Sequence, residues 1–501
     1  MYEQNHLIHQ LRAASQGRDD AVFAQIPGGG DVTFGALFAG AERMAAALAA
    51  KGLQPGDRVA VQVSKTLQAI ELYLGTVMAG GIFLPLNTAY TAPEVAYFLG
   101  DATPRVVVCD PAREAETRGI AGAAEVLTLD AAGQGTLLDL AEVQGRFRAV
   151  ARAEGDLAAI LYTSGTTGRS KGAMLSHGNL ASNSLTLRDY WQFTGADVLI
   201  HALPIFHTHG LFVATNVALF AGAQVVFLPG FDAEAILQAM PRATALMGVP
   251  TFYTRLLQDP RLDKERAANM RLFISGSAPL LVDTHEQWEA RTGHRILERY
   301  GMTETNMSTS NPYEGDRRAG TVGFPLPGVE AQVMLDGAEV PVGDIGVLEV
   351  RGSNVFQGYW QMPEKTAEEL RPDGWFITGD LAKIDADGYV TIVGREKDLV
   401  ITGGFNVYPK EIESLIDDLP GVLESAVIGV AHPDFGEAVV AVVVAQGDGT
   451  SAEAVQVALS GQLAKFKQPK HIAIVEALPR NTMGKVQKKA LREEYAGLFS
   501  A

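Results

Sequence analysis

Residues 156–175 read DLAAILYTSGTTGRSKGAML. A short apolar run with the character of a strand leads into three glycines (Gly165, Gly168, Gly172), five Ser or Thr hydroxyls (Thr163, Ser164, Thr166, Thr167, Ser170) and Lys171. Glycines let the backbone turn tightly and approach an anion closely, with N–H groups pointing inward. The hydroxyls add hydrogen-bond donors and a possible Mg²⁺ ligand, and Lys171 adds charge. Such a loop suits a polyphosphate. It is not a Walker A loop, because Lys171 follows Ser170 and no GK[ST] is present. A strand before the loop and a helix expected after it argue against a plain linker.

The rest of the chain sets the frame for that loop. At 501 residues it is long enough for two to four domains. Hydrophobic content of 47% and charged content of 20% are those of an ordinary globular protein. The first residues, MYEQNHLIHQLRAAS, contain no apolar core of signal-peptide length, and no run of about 18 apolar residues occurs. The single cysteine, Cys109, ends the apolar run PRVVVCD and is expected to be a buried thiol in a reducing, cytoplasmic setting. A formal charge of −17 argues against nucleic acid as a partner. Any anionic ligand must then be met by local cations and oriented N–H groups.

Short strands alternate with helices through most of the length. RVAVQVS (58–64), GIFLPL (81–86), RVVVCD (105–110) and AAILYT (158–163) read as strands; AERMAAALAAKG (41–52) and AIELYLGTVMAGG (69–81) read as helices. This alternation predicts α/β layers with mostly parallel sheets. From about residue 329 to 395 short strands separated by Gly, Asp and Pro turns predict a β-rich subdomain. A boundary is expected at Lys397, giving a large domain over 1–396 and a small α+β unit over 397–501.

The loop at 162–175 resembles the phosphate-binding signature of the adenylate-forming superfamily, which includes acyl-CoA synthetases, peptide-synthetase adenylation domains and firefly luciferase. One departure is Ser170, where many members have proline. Four more motifs follow in the superfamily's order: YGMTET (300–305), TGD (378–380), GREKD (394–398) and NTMGKV (481–486). The resemblance covers nearly the whole chain and implies a large αβ-layered domain with a small, mobile C-terminal domain. It implies that Thr163, Ser164, Gly165, Thr166, Thr167, Gly168 and Lys171 hold the phosphates of ATP. Around the adenine and AMP it places Ser277, Ala278, Pro279, Glu298 and Arg299, then Tyr300, Gly301, Met302 and Thr303, with Tyr300 stacking on the base. Glu304 and Thr163 would bind Mg²⁺, Asp380 the ribose hydroxyls and Arg395 a point near them. Lys397 matches the hinge, Lys485 the catalytic lysine, and Gly403 and Gly404 the loop lining the CoA tunnel. From Gly461 to Arg492 eight Lys or Arg stand against one acid, Glu476, a local cationic surface suited to a nucleotide's phosphates.

The implied chemistry begins with attack of a carboxylate on the α-phosphorus of ATP. Acyl-AMP forms and pyrophosphate leaves, with Lys485 and Mg²⁺ stabilising the charge that develops; a CoA thiol then takes the acyl group. A fatty-acid pocket would be apolar. Here HALPIFHTHGL (201–211), GVPTFYTRLL (248–257), ISGSAPL (274–280) and LERYGM (297–302) bring in His207, Thr208, Arg255, Ser277 and Arg299. A buried arginine needs an anion. The segments together resemble those of acyl-CoA synthetases that act on malonate, which implies a small dicarboxylic acid, with methylmalonate as a second substrate. Arg255, Ser277 and His207 would hold the far carboxylate, Thr208 and Met302 would bound the space beside C2, and Arg299 would serve either the acid or the nucleotide. His207 is expected as a gate or packing group, since the carboxylate needs no deprotonation.

Two rival readings share these residues. A free-standing adenylation domain would load a carrier-protein thiol instead of CoA. A regulatory nucleotide-binding protein would keep the fold without turnover, against which Lys171, Glu304, Asp380, Arg395 and Lys485 stand together. Lys485 also lies in an exposed-looking basic segment, so a lysine acetyltransferase and deacetylase acting there would switch the chemistry by removing its charge. No membrane partner is expected, and the chain is expected to be a monomer or homodimer.

Overall fold

The computed structural model describes residues 2–163, 170–403, 405–447, 449–460, 462–481 and 484–499. The expected alternation builds two mostly parallel sheets. The first runs in the order Glu125–Thr128, Val106–Cys109, Arg58–Gln62, Ile82–Pro85, Leu157–Thr163, Lys171–Ser176, parallel except for the last pair. Its central strands are mostly apolar because both faces are covered. Val59 and Val61 face one core, while Ala60 faces another with Leu84, Val107 and the buried Cys109.

The helices expected at 41–52 and 69–81 form as Phe34–Ala50 and Leu67–Met78. Each starts on a threonine whose hydroxyl accepts a backbone N–H, Thr33 from Ala36 and Thr66 from Ala69. After the glycine-rich stretch the structure departs from expectation. Residues Lys171–Ser176 form a strand that pairs antiparallel with Leu157–Thr163, with Lys171 opposite Thr163. The helix begins only at His177, where Ser176 and Asn179 form a capping box. Thr163 and Lys171 thus stand side by side at the mouth of a hairpin.

The second sheet has nine strands. Its parallel centre is Leu297–Met302, Leu272–Ser275, Ala245–Gly248, Val198–His201, Gln224–Phe227 and Val22–Ile26, with antiparallel strands at both edges. A third, antiparallel sheet runs from Val329 to Arg395 and shares its core residues Val333, Leu348, Val350, Ala382 and Val390 with the main body.

A fourth sheet follows, built from Val400–Thr402, Phe405–Val407, Val422–His432, Gly436–Ala445 and His471–Val475. The run EAVVAVVVA splits by alternation. Val439, Ala441 and Val443 face the helices Pro409–Asp417 and Ala452–Ser460; Val440, Val442 and Val444 face Leu478 and Leu491. Among the described residues no helix is long and apolar enough to cross a membrane.

Candidate active site

The carboxyl ends of the parallel strands, the third sheet and the last unit converge on one cleft. Parallel sheets commonly bind ligands at that end. Asp380 and Arg395 are cross-strand partners in the third sheet, and Arg395 Nε lies 2.6 Å from Asp380 Oδ1. The hydroxyl of Tyr300 donates to the other oxygen, Asp380 Oδ2, at 2.5 Å. A residue expected at the adenine is thereby tied to one expected at the ribose.

Behind Tyr300 the chain reverses. Asn306 lies opposite Met302, and a Cβ on Gly301 would sit 1.8 Å from the Asn306 carbonyl oxygen, so only glycine fits there. This turn, carrying Thr303, places Glu304 in a buried position where its Oε1 is 3.0 Å from the Tyr359 hydroxyl. Burial raises the Glu304 carboxyl above its ordinary value, against the pull of Tyr359, Lys171 and Arg395. Lys171 reaches the same spot: its ammonium sits 4.0 Å from the centre of the Tyr359 ring and 3.0 Å from Glu369 Oε2. Tyr359 and Glu369 escape a motif-based reading of the sequence. The signal for Glu369 is an acid closing a short, proline-started helix, Pro363–Glu369, where the helix dipole disfavours negative charge.

Arg255 does not have the burial expected of it from the sequence. Arg255 is exposed, its guanidinium over the ring of Phe231 at 5.4 Å. The helix Pro250–Leu257 buries Phe252, Tyr253 and Leu256, and position 255 falls outside that stripe. The buried arginine is Arg299, 3% exposed, with Nε and Nη2 lacking a partner. Burial pushes its pKa down to about 9, still charged at neutral pH. A Cβ on Gly276 would come within 2.4 Å of the Arg299 guanidinium carbon, so the glycine backbone makes the room that the group occupies.

His209 feels the charge of Arg299, and its Nε2 is buried without a partner, as is Oγ1 of the preceding Thr208; His209 Nδ1 is 3.3 Å from Ser277 Oγ. Ser277 holds a left-handed backbone (φ 71°), an unusual conformation for a residue with a side chain. Burial, with the charges of Arg299 and Lys485 behind it, pushes His207 down to about 4, so its ring is neutral at pH 7. Buried polar groups are ordinarily hydrogen-bonded. A cluster of donors around an unpaired guanidinium is therefore built for an anion.

Lys485 enters the cleft from the last unit. Burial lowers its ammonium below the ordinary value, Arg395 lowers it further, and Asp380 and Asp398 act against both; the side chain remains open to water. Gly403 of the same unit is exposed and donates its N–H to the Phe435 carbonyl. The structure thus brings Lys485 to the cleft and leaves Gly403 outside it. The Glu298 carboxylate is buried, accepts from Gly320 N and lies 3.4 Å from His285 Nδ1. Ala278 is partly buried, Pro279 is exposed, and Lys397 is exposed in the short turn Glu396–Asp398. Ser164, Gly165, Thr166, Thr167, Gly168 and Gly404 lie outside the described residues.

The AMP-binding enzyme family matches residues 10–360 of this chain, and the AMP-binding enzyme C-terminal domain matches residues 411–485. A malonate–CoA ligase of Arabidopsis thaliana is 36% identical over 479 residues, covering 88% of this chain and 78% of the plant protein. A feruloyl-CoA synthase of an Amycolatopsis species is 35% identical over 474 residues, covering 93% and 95%. The crystal structure of ATP-bound MatB from Rhodopseudomonas palustris superposes with a TM-score of 0.96 at 60% identity, covering 98% of this chain and all of that one.

Proposed function

The chain belongs to the AMP-binding enzyme family, and from that premise we propose that it is an AMP-forming malonate–CoA ligase. Similarity in the mid-thirties per cent extends equally to ligases of malonate and of ferulate, so the acid is chosen by the pocket. The observation that carries the choice is Arg299, buried, charged and unpaired among Thr208, His209 and Ser277. One carboxylate of malonate pairs with Arg299 and leaves the other to face the α-phosphate of ATP. A monocarboxylate would leave the guanidinium unpaired, a penalty of roughly a few kcal/mol. Methylmalonate is a second substrate in this reading, its methyl group lying toward Thr208 and Met302.

In the first half-reaction the carboxylate oxygen bonds to the α-phosphorus while the bond to the bridging oxygen of pyrophosphate breaks. Lys485, near Asp380 and Arg395, offsets the charge that builds on the phosphoryl oxygens. His207, neutral, packs beside the forming anhydride. Thr163 and Glu304 are hard oxygen donors that fit Mg²⁺, which when bound neutralises phosphate charge. In the second half-reaction the CoA sulfur attacks the acyl carbon and AMP leaves. Lys397, between the third sheet and the last unit, is the hinge of this scheme; rotation about it carries Lys485 out and Gly403 in. Acetylation of Lys485 by a lysine acetyltransferase would stop the first half-reaction alone, and a deacetylase would restore it. The reading places the enzyme in the cytoplasm, supported by the single, buried Cys109.

Pyrophosphate release with malonate, methylmalonate, succinate, acetate and octanoate, each with CoA or a carrier protein as acceptor, tests the proposal. Malonate with CoA should lead. Arg299→Ala should lower kcat/KM for malonate by about a hundredfold, the effect expected when a charged partner is lost. Arg255→Ala should cost far less, since water already solvates that group. Retained malonate turnover in Arg299→Ala with loss in Arg255→Ala would move the second carboxylate to Arg255.

A further inference from the structure

Glu369 makes three contacts at the rim of the phosphate site. Its carboxylate takes Lys171 Nζ at 3.0 and 3.2 Å, Lys365 Nζ at 2.9 Å and the Tyr359 hydroxyl at 2.6 Å. The same hydroxyl lies 3.0 Å from Glu304 Oε1, and the Tyr359 ring carries the Lys171 ammonium on its face. Lys171 is thus already neutralised by a carboxylate of its own chain, at the place where ATP phosphates are expected. An acid at the C-terminal end of Pro363–Glu369 works against the helix dipole, so its position is set by what it binds.

We propose that Glu369 is an exchangeable counter-ion for Lys171, displaced by the β- and γ-phosphates of ATP and returning to the lysine when pyrophosphate departs. The carboxylate has a reason to stay where it is during the exchange: Lys365 and Tyr359 continue to hold it after Lys171 has turned to the nucleotide. The lysine likewise keeps the Tyr359 face beneath it in both pairings. Each swap trades one anion for another on a half-buried cation, so neither state leaves Lys171 unpaired. Glu369 then competes with every polyphosphate that uses Lys171, substrate and product alike, and does not compete with AMP, which has neither phosphate. It is a positioning residue and takes no part in bond making.

The inference rests on Lys171 being a polyphosphate ligand, and the test separates the two. Binding of ATP, pyrophosphate and AMP is measured by titration calorimetry in the absence of any acid, on wild type, Glu369→Gln, Glu369→Asp, Lys171→Ala and the double variant Lys171→Ala/Glu369→Gln. Glu369→Gln should tighten ATP and pyrophosphate together by about threefold to fivefold, the scale of a partly exposed ion pair, and leave AMP unchanged. Glu369→Asp should stay nearer wild type, and the gain should vanish in the double variant. Unchanged or weakened ATP binding in Glu369→Gln, while Lys171→Ala loses affinity, overturns the counter-ion and keeps the lysine's role. An AMP shift as large as that for ATP shows a structural effect and also overturns it. If Lys171→Ala leaves ATP and pyrophosphate affinities intact, the lysine's assignment itself falls, and this inference with it.

Discussion

A buried histidine ring beside a fixed positive charge gains nothing from a second proton, and His177 is such a ring. It is fully buried; its Nδ1 accepts from Leu7 N at 3.3 Å, and its Nε2 has no partner. Burial, reinforced by Arg152 and His6 and opposed by Asp156, pushes its pKa from 6.5 down to about 3. Between these values the unfolded chain binds a proton that the folded chain refuses, so stability is lost as pH falls from 6.5 and the loss levels off near 3. Urea unfolding at pH 7, 6 and 5 should show this fall, and His177→Gln should reduce the slope by about 1.4 kcal/mol per pH unit. An unchanged slope would mean that the ring protonates without unfolding. His207 adds to the same trend, with its pKa at about 4. Arg255 and Arg299 differ in the same way, by what surrounds them. Arg255 could have been placed on the wet side of its helix from the spacing of Phe252, Tyr253 and Leu256 alone. The burial of Arg299 depends on the room left by Gly276, just past the strand Leu272–Ser275, and local sequence contains no trace of that.

Among the elements, the pairing of Leu157–Thr163 with Lys171–Ser176 was the least legible. The six residues KGAMLS are too few for a helix and match a strand only when Leu157–Thr163 is beside them. The start of the following helix was readable, because Ser176 and Asn179 have capping-box spacing. Ser176 Oγ accepts from Asn179 N at 3.0 Å, and Asn179 Oδ1 in turn accepts from Ser176 N at 2.8 Å. Removing the hydroxyl in Ser176→Ala should cost about 1 kcal/mol in chemical denaturation. The Asn179 carboxamide also donates to the carbonyls of Ser353 and Val355, which ties the helix to the third sheet. A cost well above that figure would show that the cap positions this tie as well. The C-terminal sheet was legible as strands, and the reason its valines are unbroken became clear only with both faces covered.

At the scale of the whole molecule, Lys485 of the last unit faces Asp380 and Arg395 of the main body while Gly403 is exposed, which fits the adenylation step of the proposed mechanism. Lys485→Ala should therefore lower pyrophosphate release by about a hundredfold or more while ATP affinity changes only a few-fold. The variant should still pass the acyl group from supplied malonyl-AMP to CoA. Equal loss of both half-reactions would contradict separate roles for the two faces of the unit. The sequence by itself determined the α/β layers, the order of the motifs at 162–175, 300–305, 378–380, 394–398 and 481–486, and the cationic C-terminal segment. These depend on local spacing and residue type, which survive without any knowledge of neighbours. Tertiary structure alone decided that Arg299 and not Arg255 is the buried cation, that Glu298 accepts from Gly320 N, and that Glu369 occupies Lys171. Burial and pairing are properties of what other segments place around a side chain, and those segments are as much as 198 residues away in the chain.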